Sequence, residues 1–382
     1  MVEWKKIEEI GSFFGGLTGK TKEDFEDGNA KFITYMNVFA NSSLNPSVVG
    51  VVKINEGEKQ NKVQKGDILF TGSSETPEET GMSCVVTEDL DGDFYMNSFC
   101  FGIRVNQLEL YNLGYLKHIL RSNSIRKEIA KSASGVTRFN ISKARFGKIL
   151  IPLPSLSEQE RIVGILDTFT AAIENLKAQI ANRRKQYEHY RDQLLDLEGK
   201  EGVEMKLLIS CANILYGYPF ESKLFTEDDT YIPLIRIRDV KPAIASTYYS
   251  GKILDEYIIK KGDILVGMDG EFNIGKWNDR DGLLNQRVLK MSGKDNVCLN
   301  GFLYHYMKPV FKKIEMQTAG GSVKHLSAKT INSIVILLPS LSEQSRIVSI
   351  LDTFEASIAN LEAQLKEREK QYEYYRNKLL SF

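Results

Sequence analysis

Residues able to do covalent chemistry are few in this chain, and their spacing assembles no reaction centre. The run Phe14-Gly15-Gly16-Leu17-Thr18-Gly19-Lys20-Thr21 comes within one residue of a phosphate-cradling loop, but G-x-x-x-x-G-K-[ST] requires glycine where Phe14 stands. Nucleotide binding is therefore not expected there. Four histidines, His118, His189, His305 and His325, show no metal-ligand spacing and accompany no nucleophile motif. Cys84, Cys100, Cys211 and Cys298 are far apart and form no C-x-x-C pair, so they read as buried thiols and not as a zinc set or a disulfide framework. No N/D-P-P-Y/F methyltransferase motif is present, and no D-x-n-E-x-K spacing stands out as a trustworthy nuclease signature. From these residues no catalytic group, no metal and no cofactor is expected.

Charge points elsewhere. The 50 Lys/Arg and 50 Asp/Glu cancel to a formal charge of zero, which would argue against a polyanionic partner if the charges were evenly spread. They are uneven. Between residues 117 and 148 nine basic residues (Lys117, Arg121, Arg126, Lys127, Lys131, Arg138, Lys143, Arg145, Lys148) meet Glu128 alone, while acid collects at 75–79 and 88–93. At 382 residues, 42% apolar and 26% charged, the chain has ordinary globular composition with room for two to three domains. No apolar leader follows Met1-Val2-Glu3-Trp4-Lys5-Lys6 and no run nears eighteen apolar residues, so a cytoplasmic place is expected.

The elements that must position any binding residues are written twice. The run L-P-S-L-S-E-Q at 153–159 returns at 338–344, 185 positions later, and the ungapped match continues to Leu380. Apolar residues of the first copy fall at Ile162, Leu166, Phe169, Ile173, Leu176, Ile180, Tyr187, Tyr190, Leu194 and Leu197, alternating four and three steps with one break at Arg183. The second copy repeats the register at Ile347, Leu351, Phe354, Ile358, Leu361, Leu365, Tyr372, Tyr375, Leu379 and Phe382, broken at Arg368. Such a seam predicts two long coiled-coil helices, capped by Ser157 with Glu160 and by Ser342 with Ser345. About forty helical residues span roughly 60 Å, comparable to about 17 to 18 base pairs.

Segments before the two helices align in patches: Val2-Glu3-Trp4-Lys5 with Val203-Glu204-Met205-Lys206, Gly16 with Gly217, and the K-G-D-I-L runs at 65–69 and 261–265. The repeat unit is thus a globular domain followed by a helix, of α+β class, with short strands expected at 31–37, 48–54, 67–71 and 95–105. One helix near the end of each domain, about 113–131 and 301–316, should lead to a glycine turn, Ala133-Ser134-Gly135 or Ala319-Gly320-Gly321. Chain order requires the second long helix to return along the first. That places the domains at the two ends of an antiparallel pair with pseudo-two-fold symmetry, Arg183 near Leu361 and Arg368 near Leu176, each answered by Glu362 or Glu174.

In order and spacing, these features resemble the specificity subunit of type I restriction-modification enzymes. The likeness rests on Ile151 to Asp167 and Leu337 to Asp352, which share L-P-S-L-S-E-Q-x-R-I-V-x-I-L-D, on Gly15 to Thr21 with its counterpart Gly217-Tyr218-Pro219-Phe220-Glu221-Ser222-Lys223, and on Asn285-Gln286-Arg287-Val288. The resemblance implies a non-enzymatic DNA-reading subunit with two target recognition domains, 1–154 and 202–339, joined by helices at 155–201 and 340–382. Each domain would read one half of a split, asymmetric duplex sequence, and the helices would set the spacer. It also implies docking of two methyltransferase subunits that bring S-adenosylmethionine, and of restriction subunits that translocate and cleave.

On that resemblance the expected DNA contacts in the first domain are Lys20, Lys22, Ser73, Ser74, Ser134, Thr137, Arg138 and Asn140. In the second they are Tyr218, Lys223, Arg236, Arg238, Asp269, Glu271, Arg287, Ser322 and Lys324, where arginine can read guanine and carboxylates can accept from cytosine. His325 could add a phosphate or base contact, whereas His189 and the seam residues Tyr187, Tyr190, Tyr372 and Tyr375 are expected to pack, not to stack on bases. A coiled-coil adaptor with two protein-binding domains is the competing expectation, which salt-dependent, sequence-selective duplex binding would separate. A self-contained methyltransferase is a third.

Overall fold

A computed structural model describes residues 2–317 and 324–382. The chain forms two compact units, residues 1–177 with 363–382, and residues 178–362. No helix among the described residues is long and apolar enough to cross a membrane.

In the first unit the K-G-D-I-L segment builds the central strand Asp67–Thr71. Gly66 takes φ +89°, and the Asp67 carboxylate accepts from the Gln64 amide at 2.9 Å, closing the turn that launches the strand. Ile68, Leu69 and Phe70 are all buried, as a strand covered on both faces requires. It lies in a four-stranded antiparallel sheet ordered Gly11–Gly15, Cys100–Val105, Asp67–Thr71, Ser83–Val85. A second sheet joins Val49–Val52, Ala30–Ile33 and Phe94–Met96, the last pair parallel. Glu3–Lys6 pairs with Leu150–Leu153, the strand that enters the first long helix.

The second unit repeats the plan. Ile264–Gly267 occupies the centre of a sheet ordered Ala212–Tyr216, Val288–Gly293, Ile264–Gly267, Ile274–Lys276, and its launching turn uses Gly262 at φ +93° and Asp263 accepting from Lys260 N at 2.8 Å. Glu204–Leu207 pairs with Val335–Leu338 as Glu3–Lys6 does with Leu150–Leu153. A five-stranded sheet contains Ile232–Ile235 and Gly282–Leu284 as its parallel pair.

The long helices are Leu156–Leu195 and Leu341–Leu379. Within the first unit Ile162 and Leu166 are buried in one cluster with Leu380, Tyr372 and Leu379, and Phe169 stacks on Tyr375 at 5.2 Å. Within the second, Ile347 and Leu351 join Tyr187 and Leu194, and Tyr190 stacks on Phe354 at 5.3 Å. Ile173 and Ile180 are buried, Leu176, Ile358, Leu361 and Leu365 are half-buried, and Tyr190 and Tyr375 keep 45% and 39% exposure. The arginine breaks differ from expectation. Arg183 lies over the Phe354 ring and bonds Gln186, Arg368 lies over Phe169 and bonds Gln371, while Glu362 pairs with Arg184 and Glu174 with Lys177. The planar guanidinium satisfies itself on an aromatic face at the seam edge and needs no carboxylate.

Several expected boundaries shift. The long helices begin two residues earlier: Ser155 and Ser340 accept from the amides of Glu158 and Glu343, so they, not Ser157 and Ser342, are the caps. The strand expected at 31–37 stops at Ile33, because Thr34 accepts from Asn37 N and starts the helix Tyr35–Ala40. The 95–105 strand breaks at a turn closed by Cys100 N to Asn97 O. The 113–131 helix divides into Leu113–Ile119 and Asn123–Ser132, the second capped by Ser122. Asn300–Gln317 runs unbroken in spite of Pro309, and the glycine turn at 319–321 lies outside the described residues.

A buried polar lock recurs in both units. His118 reaches Asp167 of the first long helix at 2.7 Å through Nε2 and Tyr372 of the second at 3.1 Å through Nδ1. His305 makes the same pair of contacts to Asp352 at 2.9 Å and Tyr187 at 3.1 Å. Burial holds both imidazoles below their ordinary pKa, so each is neutral, donating Nε2–H to carboxylate and accepting from the tyrosine hydroxyl. Burial opposes ionisation of Asp167, yet the bonds from His118 and Lys117 outweigh it and hold its carboxyl at about 2. The buried Gln159 and Gln344 of the two S-E-Q runs act alongside as brackets, accepting from Asn112 N and Leu299 N at 2.9 and 2.8 Å.

Candidate nucleic-acid interface

Beyond Gly72 the central strand of the first unit continues as Ser73–Ser74, which pairs with Phe139–Ile141, Asn140 facing Ser73. Ala133–Ser134 completes this small sheet, and the Tyr35 hydroxyl donates to the Ser73 carbonyl at 2.8 Å. Together they form an open cavity of about 400 Å³ lined by Tyr35, Met36, Phe39, Ser73, Ser74, Glu75, Glu79, Thr137 and Arg138. Arg138 is aimed by its Nε bond to Ser73 Oγ at 3.0 Å and by the Phe99 ring beneath its guanidinium at 5.4 Å. Ser74 Oγ donates to Glu79, and Ser134, Thr137 and Asn140 are exposed around the rim. Hydroxyls, an amide, one arginine and two carboxylates on a mixed polar and aromatic floor are suited to hydrogen-bonding base edges.

The second unit builds the same place with other side chains. Ile264–Gly267 leads into Met268 and Asp269, Leu326 N donates to Met268 O as Ile141 N does to Gly72 O, and Asp269 bridges to His325 as Ser73 pairs with Asn140. The turn at Asn285–Val288 corresponds to that at Asn97–Cys100, so Arg287 stands where Phe99 does. Here a cavity of about 390 Å³ is lined by Arg236, Ile237, Arg238, Asn285, Gln286 and Arg287, three cations with no carboxylate among them. Arg238 is tied to Ser246 Oγ and Thr247 Oγ1 at 3.0 and 2.7 Å, and Arg236 lies 5.9 Å over Phe225. Asp269 accepts from His325 Nδ1 at 2.5 Å and lies 3.5 Å from Arg287 Nε.

The expected contacts therefore divide. Ser73, Ser74, Thr137 and Arg138 converge on one cavity, with Ser134 and Asn140 beside it, and Arg236, Arg238 and Arg287 converge on the other, with Asp269 adjoining. Tyr218 packs between Phe220 and Tyr257 and bridges to Asn285, next to that cavity. Lys20 stands apart: its ammonium bonds the Glu58 carboxylate and the Lys53 carbonyl, both at 2.6 Å, and 5% of the side chain is exposed. Lys20 thus closes a loop, and Lys22 alone of the pair is exposed. Lys223 pairs with Glu221, Glu271 accepts from Asn273, and Lys324 lies 3.7 Å from Glu315. Ser322 lies outside the described residues.

The basic stretch at 117–148 is not one surface. Arg121 donates to the carbonyls of Val38, Phe39, Asn41 and Ser83, and Arg126 to those of Glu78, Thr80 and Gly81. Burial pulls both guanidinium groups down to about 10, and their charge serves folding. Tyr35, Met36 and Phe39 join the first cavity without a sequence cue beyond their polarity or aromaticity. His305, Asp352 and Glu355 lie close enough to suggest a metal, but Lys276 and Lys308 already pair with those carboxylates at 3.1 and 2.5 Å.

A family model described as type I restriction modification DNA specificity domain matches residues 1–183 and 201–370. The chain is 40% identical over 158 residues to the EcoBI specificity subunit of Escherichia coli, covering 41% of this chain and 33% of that one. It is 32% identical over 305 residues to a protein of Haemophilus influenzae described as a type I restriction enzyme specificity subunit, covering 73% and 74%. In fold it is similar to the S subunit of a type I restriction-modification system from M. genitalium, with TM-score 0.61, 16% identity and coverage of 100% and 96%.

Proposed function

The chain belongs to the type I restriction-modification DNA specificity family, and on that premise we propose that it is the non-catalytic subunit that selects the DNA target of such an enzyme. Each unit reads one half of a bipartite, asymmetric duplex sequence through the cavity at the end of its central strand. The long helices set the spacer and dock two methyltransferase subunits, which supply S-adenosylmethionine, and restriction subunits join that assembly. One observation carries this reading: the same interface is built twice on the same backbone plan, with Ser73, Phe99 and Asn140 in one copy and Asp269, Arg287 and His325 in the other. A shared scaffold with exchanged side chains is what recognition of two different half-sequences requires.

Selection of the chain, assembled with its methyltransferase subunits, on a library of randomised duplexes tests the proposal. Two short blocks of fixed sequence separated by an unread gap of constant length are expected. Binding that ignores sequence at moderate salt would refute it and favour the adaptor reading.

A further inference from the structure

We infer that Arg287 reads a guanine in the half-site of the second unit, with Asp269 as its positioning residue and His325 holding Asp269 in place. The inference rests on the DNA-reading role proposed above and narrows the expected contacts to one base-reading arginine, its base and the residues that position it. Three arginines line this cavity, and their engagement differs. Arg238 has both Nε and Nη2 bound to hydroxyls, and Arg236 is half-buried over Phe225. Arg287 keeps 55% of its side chain exposed, with Nε 3.5 Å from Asp269 Oδ2. A guanidinium held on its Nε side presents the Nη groups in the plane needed to donate together to guanine O6 and N7.

The neighbours fix the geometry and argue against a phosphate. Because Asp269 Oδ1 accepts from His325 Nδ1 at 2.5 Å, that nitrogen carries the hydrogen, and its 3.4 Å approach to Arg287 Nη1 is contact between two donors. The carboxylate is thus anchored on one oxygen and turns the other to the arginine. The carboxylate offsets part of the charge on this guanidinium, which favours a neutral base edge over a phosphate as its partner. Arg287 also sits at φ +69° in the turn closed by Val288 N to Asn285 O, with its own carbonyl accepting from Met268 N at 2.8 Å. Glycine suits that conformation better than arginine, and Phe99 at the matching turn is not left-handed, so local folding does not explain the residue found there. Asn285 adds an independent sign: it lines the same cavity, is 6% exposed, and its buried Oδ1 has no hydrogen-bond partner.

The test repeats the randomised-duplex selection with the methyltransferase-bound complex carrying the wild-type chain, Arg287→Gly, Arg287→Lys or Asp269→Ala. Arg287→Gly relieves the left-handed strain, so its melting temperature should equal or exceed that of the wild type. Its discrimination should fall roughly 5- to 150-fold at a single G·C position of one half-site, with the other half-site unchanged. Arg287→Lys should lose most of the same discrimination, because an ammonium cannot make the two-point contact. Asp269→Ala should weaken preference at that same position and no other, which a merely structural role would not do. A motif that persists in Arg287→Gly, or a change confined to an A·T position, overturns the inference and leaves the DNA-reading role standing. A wild-type complex that selects no sequence overturns both.

Discussion

Replacing Tyr372 by phenylalanine removes the hydroxyl of the buried lock, which bonds His118 and also meets the Arg376 guanidinium. The ring, which lies edge-on to His118 at 6.0 Å, is kept, and the hydroxyl 3.1 Å from His118 Nδ1 is removed. The His118 side chain is 0% exposed, so no solvent replaces the lost donor. An unsatisfied buried acceptor costs about 1–3 kcal/mol, and relief of the tyrosine hydroxyl's own burial reduces this to about 1–2 kcal/mol. The bond should also govern pH dependence. Burial lowers the folded pKa of His118 and His305, so the unfolded chain binds more protons as pH falls past the ordinary histidine value near 6.5. Stability is then fully present above that pH and declines below it by about 1.4 kcal/mol per unit for each histidine. Tyr372→Phe frees Nδ1 to take a proton, which raises the His118 pKa and makes the decline shallower, while burial, the main cause of the lowering, remains. Guanidinium unfolding followed by circular dichroism at about pH 8 and about pH 5.5 measures both effects. Midpoints equal to the wild type at both pH values would refute the assigned tautomer and the lock with it.

Other perturbations follow from the same geometry. Gln344→Ala removes an acceptor for Leu299 N and donors to Val297 O and Pro339 O, and should lower stability by about 2 kcal/mol in denaturant titrations, more than Gln159→Ala. Lys20→Ala should lower thermal stability by breaking its contacts to Glu58 and the Lys53 carbonyl, while leaving the selected DNA motif unchanged in duplex selection. Burial pushes the thiols of Cys84, Cys100 and Cys298 up to about 12, so a thiol reagent at neutral pH should leave these three unmodified until denaturant is added, as mass spectrometry of the labelled peptides would show.

Much of the scaffold was legible because its signals are periodic or duplicated. The four-three spacing from Ile162 marked the long helices, and the two K-G-D-I-L runs marked the central strands, because glycine and aspartate there close a turn before a buried strand with an apolar middle. Boundaries set by single side chains were harder. Thr34 ends a strand by capping a helix, and Asn97-Ser98-Phe99 breaks one without glycine or proline. The lysine of the glycine loop pairs with a carboxylate 38 residues away, a neutralisation invisible in local sequence. The lock had a readable trace: Asp167 and Tyr187 recur as Asp352 and Tyr372 at the repeat offset, but their histidines come from the domains, where the offset drifts.

The central claim is tested most directly by mapping methylated bases in cells with this gene intact and deleted. A split motif, two short blocks around a fixed gap, should be methylated in the first and wholly unmethylated in the second. An unchanged methylome, in cells where the chain and its methyltransferase partners are expressed, would contradict the account.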